Sequence, residues 1–364
     1  MLLVSILGDF HSSIFPIFYE FKERLTTHLI VHDRAFKERR SSKKIIDSLN
    51  NFSASNALSI QTLEYSVDED SFESILELIE SIKSLESNLE EIYINTTDGL
   101  SNIGVILGSK LLSDGVNVLS YDMYENSYNI TANNSIVTKK LNSKMSIKDH
   151  FELKGFTVHS VEDKSFAHKY AKQIKNLFEE YYDEFVLLKK DITHSRVGSN
   201  KKYINALRII RELKLNTDTQ RKEITGGLFE WYVYLVVKDL GFDDIEVGAI
   251  VLDHFSSTST IKNEFDILIM KDNHLNMIEC KFTKRVDIQA LVYKYSTLIN
   301  LIDDDGKMMI LTDQETYSYD LYQNAEPKLI PYRRALVNRI LIRGSILGRK
   351  EEFIEDINSY LKTV

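Results

Sequence analysis

Two hydrophobic rhythms alternate through the first third of the chain. Residues 2–7 (LLVSIL) form a short apolar run closed by Gly8-Asp9, which reads as a buried parallel strand. A helical pattern follows from Ile14 to Lys22, with Pro16 tolerable in its first turn. The same alternation predicts strands over 28–32, 57–63, 91–95 and 116–121, and helices over 41–49, 71–89 and 101–112. In the helix over 71–89, Phe72, Ile75, Leu78, Ile79 and Ile82 share one face. Strands alternating with helices imply a doubly wound α/β sheet over residues 1–135.

Residues 136–200 lack that alternation. A short helix from Ser146 and a longer aromatic-rich one over 164–188 suggest a helical connector. The pattern changes again over 201–364. An apolar helix is expected over 228–240, with Thr225 as its cap and Gly241 ending it. A strand over 245–252 precedes two strands joined by Asp272-Asn273, a hairpin signal. A helix over 287–302 and a strand over 308–311 complete a small mixed α/β unit.

The hairpin carries the most telling chemistry. With Asp272-Asn273 as the turn, Asp266 lies opposite Glu279 and Glu264 opposite Lys281, all on one face. Ile278, Cys280 and Phe282 point the other way, toward a core. Opposed residues have Cβ atoms about 5 Å apart. Two carboxylates at that distance repel by roughly 3 kcal/mol at an effective dielectric of 20. A divalent cation would turn that repulsion into binding, and oxygen donors suit Mg²⁺ or Mn²⁺. Alternating charged and apolar residues also describe any half-solvated strand, and Lys281 could simply neutralise Glu264.

Two loops at the expected carboxyl ends of the first sheet have ligand-binding character. One contains Gly8, Asp9, His11, Ser12 and Ser13; the other contains Asn95, Thr97, Gly99, Ser101 and Asn102. Both open a helix, where backbone amides hold phosphate or Ser and Thr simply cap. Neither is a Walker A or GxGxxG sequence, so no nucleoside triphosphate or dinucleotide is indicated.

Composition narrows the class. The 364 residues are 43% hydrophobic and 27% charged, with no apolar run long enough for a membrane helix and no signal peptide. A single cysteine excludes a disulfide framework and a cysteine zinc site, so the cytoplasm is the expected compartment. Net charge is −9, against a globally basic nucleic-acid binder. Yet Lys328–Lys350 holds basic residues and no acidic one, and Lys189, Lys190, Arg196, Lys201 and Lys202 form a second cluster. Local basic patches fit a nucleic acid held in one cleft, or ordinary solvated faces. Trp231 and Cys280 are expected in the core.

Glu230 on its helix, Asp266, the Glu279-x-Lys281 pair and Gln289-x-x-x-Tyr293 together resemble the PD-(D/E)xK nuclease superfamily in order and spacing. The resemblance implies that Asp266, Glu279 and Glu230 bind metal, that Lys281 positions water, and that Gln289 contributes to the site. Phe265 stands where the family often has proline. With the N-terminal sheet added, the chain resembles CRISPR ancillary nucleases with a CARF sensor domain. Ile224–Tyr234 and Met145–Phe156 are similar to segments of that family. Thr97-Asp98-Gly99-Leu100-Ser101 is similar to its Thr-Gly-Gly-Thr-Lys-like loop, with Asp98 in place of a glycine and no lysine.

This resemblance implies an N-terminal Rossmann-like CARF domain (1–135), a helical connector (136–200) and a restriction-endonuclease-like mixed α/β domain (201–364). It further implies a homodimer, a cyclic oligoadenylate activator (most often cyclic tetra-adenylate) bound by the two loops, and a DNA or RNA substrate. Three other readings stay open on the residues: a restriction or repair nuclease without nucleotide control, a catalytically silent binding protein, and an enzyme that degrades the cyclic nucleotide in the sensor pocket.

Overall fold

The computed structural model describes residues 1–8, 14–34, 41–98, 102–194, 197, 201–253, 261–283, 286–302, 306–312, 330–344 and 350–361. Two sheets organise them. The first has seven strands: β1 (Leu2–Ile6), β2 (Thr27–Asp33), β3 (Gln61–Val67), β4 (Ile92–Asn95), β5 (Asn117–Asp122), β6 (Ser127–Ala132) and β7 (Ser135–Lys140), in the order β3-β2-β1-β4-β5-β6-β7. β1 to β5 are parallel, and β6 and β7 extend the edge as an antiparallel hairpin.

Helices α1 (Ile14–Phe21) and α2 (Ser41–Ser55) contribute Ile14, Phe18, Leu49 and Phe52 to the core on one face. Helices α3 (Phe72–Leu85) and α4 (Asn102–Ser113) contribute Ile75, Ile79, Ile103 and Leu107 to the other. Both faces are covered, which is why β1 and β2 carry consecutive apolar residues (Leu2–Val4 and Leu29–Val31) rather than alternating ones. α3 begins where Ser71 Oγ accepts the Ser74 N–H at 3.2 Å.

The expected doubly wound sheet is therefore present, with three local differences. The third strand lies at 61–67 rather than 57–63, because α2 continues through buried Phe52 and stops only where Ala57 turns to a positive φ of 54°. The hairpin β6–β7 turns at Asn133-Asn134, both at positive φ. The segment 136–200, expected as a helical connector, gives β7 to the first sheet and β8 (Phe156–Ser160) to the second.

The second sheet runs β13-β12-β11-β10-β9-β8, with β9 (Asp244–Asp253), β10 (Ile261–Lys271), β11 (His274–Lys281), β12 (Met308–Thr312) and β13 (Ile340–Gly344). Helices α5 (Ile147–Leu153), α11 (Ile288–Ile302) and α12 (Ile330–Val337) pack on one face through Phe151, Val292, Tyr295 and Tyr332. The other face meets α6 (Ser165–Lys169), α7 (Ala171–Glu179), α8 (Tyr182–Thr193), α9 (Ile204–Glu212), α10 (Leu228–Val237) and α13 (Lys350–Leu361). The single long helix expected over 164–188 is instead the succession α6, α7 and α8.

α10 is buried on nearly all sides and ends through a 3₁₀ turn at Gly241, whose φ of 78° needs no Cβ. Thr225 is not its cap. It lies in a π-helical turn over Glu223–Gly227, and its hydroxyl donates to the Arg221 carbonyl at 2.7 Å. Among the described residues no helix is long and apolar enough to cross a membrane.

Candidate active site

The hairpin sets the geometry. Asp272 and Asn273 both take positive φ, 50° and 65°, as a two-residue turn with the twist of its strands requires. The register runs from Lys271↔His274 to Ile267↔Ile278, as the sequence predicts. One step further the backbone ladder gives way. Oδ2 of Asp266 accepts the Cys280 N–H at 2.7 Å, so a side chain takes the place of a main-chain carbonyl. Strand parity puts Glu279 and Lys281 on the side of Met277, while on β10 the alternation breaks around Asp266, since Phe265 and Leu268 share one core and Ile267 lies in the other. Ile278 and Cys280 lie in the opposite core, as expected.

Lys281 bridges the two carboxylates. Its Nζ forms an ion pair with Glu279 Oε1 and lies 3.7 Å from Asp266 Oδ2. Glu279 is only 4% exposed, and the Tyr295 hydroxyl of α11 donates to it. Lys294 Nζ in turn donates to Tyr295 Oη at 2.8 Å. Burial and Glu279 push Asp266 up to about 6, against the pull of Lys281. Burial pulls the Lys281 ammonium down, but Asp266 and Glu279 outweigh it and hold its pKa above the usual lysine value.

Glu230 sits in the first turn of α10 and approaches from the other side of the sheet. Burial, then Asp266 and Glu162, push it up to about 8. Glu162 and Glu223 are raised as well, both mainly by burial. Among the described residues, no three His, Cys, Asp or Glu side chains are gathered at metal-ligand spacing.

The Gln289-x-x-x-Tyr293 pair shares a face, as spacing requires, but both residues are exposed, and Tyr293 carries Arg334 4.8 Å above its ring. The tyrosine that reaches the acidic pair is Tyr295, on the apolar stripe with Ile288, Val292 and Ile299. A helical stripe signals core. Only the rule that a buried phenol needs a partner singles this position out. Lys189, expected on a basic face, instead donates to the Phe282 carbonyl and lies 3.4 Å from that ring's centre, at the end of β11. Trp231 is core, 4% exposed.

At the first sheet, the strand order reverses between β1 and β4, and the carboxyl ends of this pair leave the crevice in which such sheets bind ligands. Gly8 and Asp98 meet there: a Cβ built on Gly8 would collide with the Asp98 carbonyl. Asn95 is buried, and its Oδ1 accepts from the Thr97 N–H at 3.2 Å and the Thr97 hydroxyl at 2.7 Å. The Thr97 hydroxyl also accepts the Tyr121 N–H at 2.7 Å, so it shapes the loop. Asn102 is exposed at the start of α4. Asp9, His11, Ser12, Ser13, Gly99 and Ser101 lie outside the described residues.

The profile of the Card1-like endonuclease domain matches residues 217–310. No curated protein matches the sequence. Among solved structures, VC1899 from Vibrio cholerae is similar with a TM-score of 0.79 and 14% identity, over 100% of this chain and 99% of that one. Can2 from Sulfobacillus thermosulfidooxidans, solved with cyclic tetra-adenylate, has a TM-score of 0.71 at 14% identity over 99% of each chain. A type III CRISPR defence DNA nuclease activated by cyclic oligoadenylate has a TM-score of 0.56 at 10% identity, over 98% of this chain and 51% of that one. The part of the second sheet within residues 217–310 is thus similar to a Card1-like endonuclease domain, and the chain as a whole shares its fold with VC1899 and Can2.

Proposed function

We propose that the protein is a metal-dependent nuclease of type III CRISPR defence, switched on by a cyclic oligoadenylate bound to its first domain. The observation that carries the reading is the acidic pair Asp266 and Glu279 held together by Lys281 inside a Card1-like endonuclease domain.

The donors fit a hard divalent cation. They are carboxylate oxygens, and burial first and then repulsion from Glu279 raise the pKa of Asp266. Asp266 and Glu279 would hold Mg²⁺ or Mn²⁺; Glu230, not at metal-ligand spacing with them here, would join as the third carboxylate only as the site closes on the ion. When bound, the ion supplies Lewis acidity at the phosphodiester and a more acidic water. Lys281 remains an ammonium at neutral pH and cannot act as a base. It donates, holding the attacking water or meeting charge that develops on the phosphate. The Tyr295 hydroxyl holds Glu279 and the Cys280 N–H holds Asp266 in place. The exposed Gln289, Arg333 and Arg334 would meet the nucleic-acid backbone rather than the reacting phosphate.

Support for the activator comes from the switch-point crevice between β1 and β4 and from the cyclic tetra-adenylate held by Can2 on the same fold. Gly8 and Asn102 would face the ligand, with Asp9, His11, Ser12, Ser13, Gly99 and Ser101 completing the two loops, while Asn95 and Thr97 brace them. A ring with internal symmetry suits a pocket shared by two copies of the chain, each presenting the same patch. The test is cleavage of plasmid, single-stranded DNA and RNA with Mn²⁺, with and without cyclic tetra- and hexa-adenylate. Cleavage indifferent to both rings would leave a constitutive nuclease, and no cleavage of any substrate would overturn the reading.

A further inference from the structure

The tip of the catalytic hairpin is buried against the first domain. Asn273 is 4% exposed and makes three hydrogen bonds there. Its Oδ1 accepts the Met145 N–H at 2.8 Å, and its Nδ2 donates to the Ser143 carbonyl at 3.2 Å and to Asn126 Oδ1 at 3.3 Å. Asn126 belongs to the turn between β5 and β6 of the first sheet. Ser143 and Met145 belong to the chain that leaves that sheet.

The same strand of chain is tied to α1. Oε2 of Glu20 accepts the Ser143 hydroxyl at 2.7 Å, the Ser143 N–H at 2.9 Å and the Asn142 N–H at 3.1 Å. Tyr19 donates to Asp149 Oδ2 at 2.7 Å, one turn further along. On the hairpin side, the Asp272 N–H donates to Asp243 Oδ2 at 2.8 Å, and Asp243 Oδ1 pairs with Lys144 at 2.5 Å. Glu20, Ser143 and Asn273 thus form an unbroken chain of contacts. It leads from α1, the helix that follows the Gly8 loop, to the hairpin. From Asn273 the strand β11 runs straight to Glu279, six residues and about 20 Å away.

We propose that Asn273 is a positioning residue for the catalytic hairpin, and that the Glu20–Ser143–Asn273 contacts carry activator binding in the first domain to Asp266 and Glu279 in the second. The proposal rests on the sensor-and-nuclease reading above. A paired hairpin is stiff along its length, so a shift at its tip is carried to the residues at its open end. That end is where the main-chain ladder has already yielded to the Asp266 side chain, and so it is the part with least resistance to being re-aimed.

The experiment uses the full chain with Asn273→Gly, Glu20→Ala and the double variant. Glycine keeps the positive φ of the turn and removes only the carboxamide. Three quantities are read: the affinity for cyclic tetra-adenylate, the ratio of activated to basal cleavage, and hydrogen exchange at the Cys280 amide without ligand. Each single variant is expected to bind cyclic tetra-adenylate within about two-fold of the parent. Each should lose about five-fold or more of the activation ratio, with faster exchange at Cys280. The double variant should be no worse than the poorer single, since both cut one path. An unchanged activation ratio in Asn273→Gly, or losses that multiply in the double variant, would overturn the proposal. If the parent itself ignores cyclic tetra-adenylate, the sensor reading fails separately. Exchange then decides: unaltered Cys280 protection in both single variants rejects the relay.

Discussion

The main-chain N–H of Cys280 donates to Oδ2 of Asp266 at 2.7 Å, a side chain closing the gap where the two strands part. This contact needs an acceptor, not a charge. Asp266→Asn can keep it while removing the like-charge repulsion from Glu279. The variant is expected to fold with a Tm equal to or above the parent's in the absence of metal. Cleavage should fall by about 10³-fold or more, because several kcal/mol of metal-borne charge stabilisation goes with the carboxylate. Thermal unfolding with and without Mn²⁺ checks the second half: the rise in Tm on adding Mn²⁺ should vanish in the variant.

Glu230 makes the second domain sensitive to alkaline rather than acidic pH. Its folded-state pKa, about 8, lies above the ordinary 4.5, so the folded chain holds a proton that the unfolded chain has lost. Stability from that proton is complete below pH 4.5 and drains as pH rises toward 8. Asp266, pushed up to about 6, drains over the lower part of the same window. Without divalent metal, the unfolding free energy of the second domain is expected to fall between pH 5 and 8, and Glu230→Gln to flatten that slope. A metal-free profile that rises over this range would contradict the assignment.

His28 has the opposite sign. It is fully buried in the first domain, stacked on Phe18, with Nε2 hydrogen-bonded to Ser5 Oγ at 2.9 Å. Burial lowers its pKa from 6.5 to about 3, so the unfolded chain takes up the proton first. The first domain is therefore expected to lose stability as pH falls below 6.5, until about 3. His28→Gln keeps a hydrogen-bonding group toward Ser5 and should flatten that acid limb. Denaturant titrations at pH 7 and pH 4.5, followed by near-UV dichroism, give the comparison.

Much of this was legible in the residues, and the parts that were not have physical causes. Asp272-Asn273 fixed the hairpin register, because two consecutive positive-φ residues leave few turns to choose from, and register then dictates which side chains share a face. The β1-to-β5 alternation was equally plain, since each strand is buried on both sides. The shift of β3 was hidden because residues 57–63 are as apolar as a strand, while Ala57 in the left-handed region has no sequence signature. β8 is hard to read because five residues at a sheet edge, two of them exposed, carry little periodicity. At the site, the hairpin spacing alone pairs Asp266 with Glu279 and sets Lys281 beside them, whereas Glu230 enters only through the resemblance to the PD-(D/E)xK superfamily. Tyr295 was not legible, since Gln289 and Tyr293 satisfy the same four-residue spacing on the solvent face.

Gly8 permits the two loops at the β1–β4 crevice to touch. With any side chain at this position, a Cβ would meet the Asp98 carbonyl, a backbone atom that cannot swing aside. Gly8→Ala is expected to push the loops apart and weaken cyclic tetra-adenylate binding by about ten-fold or more. Calorimetry with the cyclic nucleotide measures it directly. Equal affinity in parent and variant would mean that this contact does not shape the pocket.

Tyr295 offers the sharpest separation of structure from chemistry at the site. Its hydroxyl accepts from Lys294 and donates to Glu279, a carboxylate only 4% exposed. Tyr295→Phe preserves the ring packed against the second core and deletes one donor to a buried acceptor. Leaving that acceptor short costs about 1–3 kcal/mol, which should appear as a lower Tm without metal. A bound divalent cation neutralises Glu279 and should recover most of the loss. Cleavage under saturating Mn²⁺ is expected to drop about ten-fold through kcat, with KM for the nucleic acid little changed, because the phenol aims a carboxylate and does not touch the substrate. A loss confined to KM would place Tyr295 in substrate binding instead.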